Sequence, residues 1–137
     1  MRKLPLLLAA GLLTAGCAAH RLSDQQQRAQ FMQYAGEPVN QFTYLGRYDS
    51  WQALDDTTVV IWPTFNKAYL LKLNQPCTGL VFAQRIGLTS TSRTVTQRLD
   101  AVLFDHQRCY IEEIRPVDTQ RMKADRRAAR QKSAKVR

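Results

Sequence analysis

Apolar and polar positions change their period several times along this chain. Leu4 to Leu13 is an apolar run behind Met1-Arg2-Lys3, broken only by Pro5 and Gly11, and it ends at Leu13-Thr14-Ala15-Gly16-Cys17. Glutamine-rich sequence follows, and then Ala29, Phe31, Met32, Tyr34 and Ala35 crowd together. Ser23 with Gln26 three residues on is a capping-box pair, Asp24 suits a first helical turn, and Gly36 with Pro38 closes the segment. A helix is predicted over Asp24 to Ala35, docking by its second half and wet at its start.

From Phe42 the period drops to two. Phe42, Tyr44, Gly46 and Tyr48 alternate with polar or small residues, as in a half-buried strand. Trp51 to Leu54 reads as a second strand, Asp55-Asp56 as a turn, and Thr58 to Trp62 as a central, β-branched strand. Pro63 to Lys67 has the length of a hairpin loop, with Ala68 to Leu73 returning and Asn74-Gln75-Pro76 breaking it. Leu80 to Ile86 is the next predicted strand, and Thr89 to Thr96 reads as a Ser/Thr-rich loop. Arg98 to Phe104 and Cys109 to Arg115 form a last hairpin around Asp105-His106-Gln107-Arg108. Glu112 and Glu113 interrupt the alternation of Tyr110, Ile111 and Ile114, which marks a bulge. The expected fold is mainly β (a β-rich α+β protein). It is a small antiparallel sheet or barrel of about six to eight short strands, with an N-terminal helix and a basic C-terminal helix.

Charge divides the chain further. The net charge of +9 is not spread evenly. Between Leu4 and Asp118 ten basic residues balance ten acidic ones. From Thr119 onward Arg121, Lys123, Arg126, Arg127, Arg130, Lys132, Lys135 and Arg137 face Asp125 alone, a tail of +7 on a neutral body. Asp118 is a helix N-cap after Pro116, and Thr119 to Lys132 favours helix by composition. Met122 and alanines are nearly its only apolar residues, so a lipid-burying face is excluded and deletion is expected to spare the body's stability. The resulting divisions are residues 1–16 (leader), 17–37 (tether and helix), 38–118 (β-rich domain) and 119–137 (basic tail).

An apolar run this short falls below the ~20 residues that span a bilayer, which favours a cleaved export signal. Its end resembles the lipobox of bacterial lipoprotein precursors, although Thr14 is an unusual occupant of the bulky position. That resemblance implies cleavage before Cys17, with a diacylglycerol on its sulfur and an acyl chain on its nitrogen. A plain secreted protein with a stray cysteine is the alternative. Multiple acyl chains anchor stably. Ala18, where an Asp would favour retention at the inner membrane, points to the outer membrane of a Gram-negative cell, facing the periplasm. With Cys17 acylated, Cys77 and Cys109 are an even pair in an oxidising compartment and read as one disulfide.

Gly46-Arg47-Tyr48-Asp49-Ser50-Trp51, Ala68 to Leu73, Pro76-Cys77, Ile86 to Ser90 and Glu113 to Asp118 together resemble a family of small proteobacterial lipoproteins. That family is classed only as a domain of unknown function. The resemblance covers about Tyr34 to Asp118 and implies no activity and no catalytic residues.

Reactive chemistry is sparse. His106 and Cys109 offer two metal ligands where structural zinc takes four, and the only other histidine, His20, sits in the tether. A Cys–His nucleophile needs a free thiolate, which a disulfide removes. Asp55-Asp56 reads as a turn, and Glu112-Glu113 as a solvated pair whose members point opposite ways on a strand. There is no phosphate-cradling glycine motif and no nucleophile elbow. No metal, cofactor or enzymatic activity is expected. Trp51, Trp62, Phe65, Tyr48 and Tyr69 are a large aromatic set for so small a body; core packing explains most of it, and exposed members would mark a binding site. Tyr48 and Trp51 are the chosen cleft residues, with Arg47 and Arg115 as rim cations or structural ion pairs. The tail would meet anionic lipid head groups or acidic cell-wall polymer, nucleic acid being excluded by compartment. The expected protein is a lipid-anchored periplasmic accessory or structural protein that binds an envelope protein. A small-ligand or inhibitor-type module at the barrel mouth is the alternative, and an enzyme a distant third.

Overall fold

The computed structural model describes residues 23–136, so the leader, Cys17 and Arg137 lie outside the described residues. Helix α1 (Asp24–Met32) precedes β1 (Gln41–Thr43), β2 (Ser50–Asp55), β3 (Thr58–Thr64) and β4 (Lys67–Leu73). Strands β5 (Gly87–Leu88), β6 (Thr94–Thr96), β7 (Ala101–Phe104) and β8 (Gln107–Val117) follow, and α2 (Thr119–Lys135) ends the described chain. The fold is mainly β, with every strand pair antiparallel. One sheet of order β2-β3-β4-β8-β7-β5 curls into a half-barrel, and β1 pairs with β6 in a separate ribbon.

The sheet is organised on β8. Its C-terminal part pairs with β4 and its N-terminal part with β7. Beside Ile114 and Val117, the edge opposite β4 is taken by the chain leaving α1, through bridges Val39–Ile114 and Ala35–Val117. The Gly36 N–H donates to the Pro116 carbonyl and the Val39 N–H to the Ile114 carbonyl, both at 2.8 Å. The predicted bulge is present: Lys72 faces Glu113 but Leu73 faces Ile111, leaving Glu112 as the extra residue. It brings Ile111 and Ile114, three positions apart, into the same core.

Both sheet faces are covered, which is why Thr58 to Ile61 are buried without alternation. Val59, Ile61, Leu71, Ile111 and Ile114 face a core closed by Phe42, Val95, Leu80 and the Cys77–Cys109 disulfide. Leu54, Val60, Leu70 and Val117 face the other way, onto Phe31 of α1 and Met122 of α2. Helix α1 starts with the predicted capping box, Ser23 with Gln26, and α2 starts on Asp118, whose carboxylate accepts the Arg121 N–H at 3.0 Å.

Some expectations are corrected. Helix α1 stops at Met32 because Ala35 is drawn into its bridge with Val117. The strand expected from Phe42 to Tyr48 ends at Thr43, and Gly46 turns the chain at φ +82°. Leu80 to Ile86 is not a strand. Gly79 at φ +85° turns the chain into a single 3-10 turn, Leu80–Phe82, in which only Leu80 is buried. Thr89 to Thr96 is not all loop: Thr94-Val95-Thr96 pairs with β1, and Val95 is fully buried. The last hairpin turns on Asp105 and His106 alone, both with positive φ, the geometry of a two-residue hairpin turn. The tail is not wholly detached either, since Thr119 and Met122 are buried against the body.

Candidate functional site

A groove of about 480 Å³ lies between the loop following β1 and the β3–β4 hairpin. Each wall has a local cause. In β3, Ile61 faces Tyr69 and Thr64 faces Lys67, so Trp62 and Pro63 stand opposite Ala68 alone. Proline cannot donate to the ladder and is tolerated at such a bulge. The Thr64 hydroxyl donates to the Asn66 side-chain oxygen at 2.9 Å, closing the turn and leaving Phe65 at its tip. On the inner side the Tyr69 ring stacks on buried Phe42, with centroids 4.5 Å apart and planes 16° from parallel. On the facing wall Gly46 makes the turn that sets out Leu45 and Arg47. The Tyr48 hydroxyl donates to the Ile86 carbonyl at 2.7 Å, tying this loop to the chain entering β5.

The groove presents a guanidinium (Arg47), an ammonium (Lys67), a carboxylate (Asp49) and aromatic faces. Among the described residues the ion pairs are Arg28–Asp55 at 3.1 Å and Arg115–Glu113 at 2.5 Å, so neither groove cation is paired. Leu45 and Phe65 stand 60% and 72% exposed beside them. Behind the loop, burial raises the Tyr44 phenol above its ordinary pKa, with the neighbouring Tyr48 adding to it. Such a surface can stack, hydrogen-bond and neutralise. Its lining includes the hydroxyls of Thr43 and Thr64 beside Lys67 and Asp49, with no His, Ser or Cys among the lining residues.

Of the residues chosen from sequence, Arg47 and Tyr48 line the groove. Trp51 does not: it is half-buried against the core on the far side of β2 from α1. Arg115 does not either. It pairs with Glu113 and donates to the Gly36 carbonyl at 3.2 Å, clamping the chain that leaves α1. Leu45 and Lys67 carry no sequence signal for a site, and Phe65 and Tyr69 belong only to the general aromatic set read from the sequence. The available signal was a phenylalanine at a hairpin tip just after Pro63, where polar residues are usual.

Cys77 and Cys109 form the predicted disulfide, Cα atoms 5.8 Å apart. Among the described residues His106 therefore has no free thiol to activate. No cluster of three or more His, Cys, Asp or Glu suited to a metal ion occurs among the described residues. In the tail, Arg121 is an anchor: its guanidinium lies 4.9 Å over the Tyr34 ring and donates to the Gln33 carbonyl. Lys123, Arg126, Arg127, Arg130, Lys132 and Lys135 are exposed. No described helix is long and apolar enough to cross a membrane.

Fold and groove together define a small antiparallel half-barrel, capped by helices on one face and carrying an open groove on the other. The chain belongs to a family of unknown function, DUF6491, whose model matches residues 1–133. No curated protein and no solved structure matches it.

Proposed function

We propose that this is a lipid-anchored accessory protein of the Gram-negative envelope. Cys17 holds it to the outer membrane, facing the periplasm, and it acts by binding a protein partner through the groove rather than by catalysis. The observation that carries the reading is the exposure of Phe65 and Leu45 beside the unpaired Arg47 and Lys67. Aromatic residues and arginine are the side chains enriched where interfaces bury their energy. The disulfide suits an oxidising compartment. A small acidic ligand is the second reading, because the groove volume falls within the few hundred Å³ typical of such sites.

A photo-crosslinker at Phe65 in intact cells should give one discrete protein adduct, lost on Arg47→Glu. A crosslinker at Gln52, on the helix-covered face, should not give that adduct. No adduct from position 65 would overturn the groove reading. Cys17→Ser should release the protein from membranes while its body stays folded; continued flotation of that variant at high salt would overturn the anchor.

A further inference from the structure

We infer that α2 carries a docking stripe for an anionic lipid surface, made of Lys123, Arg126, Arg127 and Arg130. This rests on the Cys17 anchor proposed above. The four residues follow the i, i+3, i+4, i+7 spacing that puts side chains on one helical face. All four are exposed, Arg126 at the edge of the stripe where it rims a small crevice with Gln30, Phe31, Tyr34 and Met122, and none is in an ion pair among the described residues. The one acid of α2, Asp125, lies off the stripe, and its carboxylate accepts the Tyr34 hydroxyl at 2.9 Å. Like charges three and four apart destabilise a helix, so the stripe carries a repulsion that an anionic surface relieves. Lys132 and Lys135 have a separate rationale, because they lie in the last turn where cations complement the helix dipole.

The stripe points in a fixed direction. The Asp118 cap, the buried Met122, and the Thr119 hydroxyl donating to the Asn66 carbonyl at 2.9 Å lock the first turns of α2 to the body. Phe31 of α1 and Met122 of α2 share one core on one sheet face. Only six residues run from Cys17 to Ser23, a reach of at most about 20 Å. An anchor at Cys17 therefore holds this helical face near the lipid. Tyr69 and Phe42 belong to the opposite face, so docking leaves the groove open to the periplasm. Without an apolar helical face the stripe rests on head groups and does not insert.

The test uses the unacylated body, residues 18–137, whose described core lies wholly within Phe31 to Met122. The probes are vesicles of equal parts phosphatidylglycerol and phosphatidylcholine, and vesicles of phosphatidylcholine alone. Binding should occur on the anionic vesicles at low salt and weaken as ionic strength approaches about 0.15 M. Replacing Lys123, Arg126, Arg127 and Arg130 by Gln should weaken it by roughly 100-fold or more, each basic residue contributing roughly 5-fold. Replacing Arg85, Arg93, Arg98 and Arg108 by Gln removes the same net charge and should change binding by no more than about twofold if the stripe, not net charge, is recognised. Thermal unfolding should be unaltered in both variants. Equal losses in the two variants, binding to neutral vesicles, or no binding to anionic vesicles would each overturn the stripe. Polyglutamate binding as tightly as the anionic vesicles would overturn the lipid partner. The Cys17→Ser fractionation reports on the anchor separately.

Discussion

Asp100 is the buried carboxylate among the described residues, 3% exposed, and its hydrogen bonds explain how it stays there. One oxygen accepts the Thr89 hydroxyl at 2.7 Å and the other the Thr96 N–H at 2.8 Å. The Thr89 oxygen in turn accepts the Ala101 N–H at 2.8 Å, so one side chain joins the end of β6 to the start of β7. Asp100→Ala strands these donors and should cost about 2–3 kcal/mol, read as a lowered urea midpoint, with Asp100→Asn recovering part of it. Phe65→Ala, at an exposed tip, should stay within about 0.5 kcal/mol of the parent in the same assay. Tyr44 gives a pH signature. Its phenol is raised by burial and then by Tyr48, so the native state keeps the proton at a pH where the unfolded chain has released it. Stability is then intact below the unfolded phenol pKa of about 10 and falls as pH rises through the native value. Tyr34 is raised in the same direction, first by its hydrogen bond to Asp125. A Tyr34→Phe background isolates the buried phenol: in it, Tyr44→Phe should flatten the alkaline loss of denaturant stability, and an unchanged slope would refute the assignment.

At the scale of elements, α2 divides into a docked start and a free remainder. Truncation after Asp125 should leave the thermal midpoint in place, because every residue removed is exposed or lies outside the described residues. Truncation after Val117 also removes Met122 and the Asp118 cap, and should cost about 2–4 kcal/mol from lost burial and capping. Equal midpoints for the two truncations would show that the first turns do not hold the helix. The contrast also shows what the sequence made legible. Caps and the Glu112 bulge depend on neighbouring residues and could be read directly; so could the presence of the β3–β4 hairpin, although its turn is Phe65-Asn66 alone rather than Pro63 to Lys67. Leu80 to Ile86 could not: its apolar letters look the same facing core or water, and Gly79 with the Cys77 bridge decides which. Val95 was hidden because one valine among threonines carries no period until a partner strand, β1, gives it a face. The groove was half legible. Arg47 and Tyr48 sit in a conspicuous local cluster, whereas Lys67 and Tyr69 reach them only through the curl of the sheet.

At the scale of the whole molecule, two cores share one sheet, and the strand between them is the last to be made. Residues of β8 pair with β4, β7 and the chain after α1, so the earlier strands have no central partner until Gln107 to Val117 exists. Long-range pairing of this kind is slow and leaves apolar strands open meanwhile. The disulfide obeys the same order, since Cys77 waits 32 positions for Cys109. Once closed, a loop of that length stabilises the fold by about 3–4 kcal/mol in the chain-entropy model. A chain delivered from its N terminus therefore has a long interval as an unfinished substrate, its Cys77 thiol reactive and its β3 and β4 accessible to proteases or holding chaperones. Chains ending at Asp105 should have Cys77 alkylated quickly and be digested readily. Chains ending at Asp125 should resist both. Protection already present at Asp105 would mean that a core closes without β8. If the chain is exported as proposed, late closure suits passage through a narrow channel, because β4 and β7 lack the strand that joins them until β8 has been made.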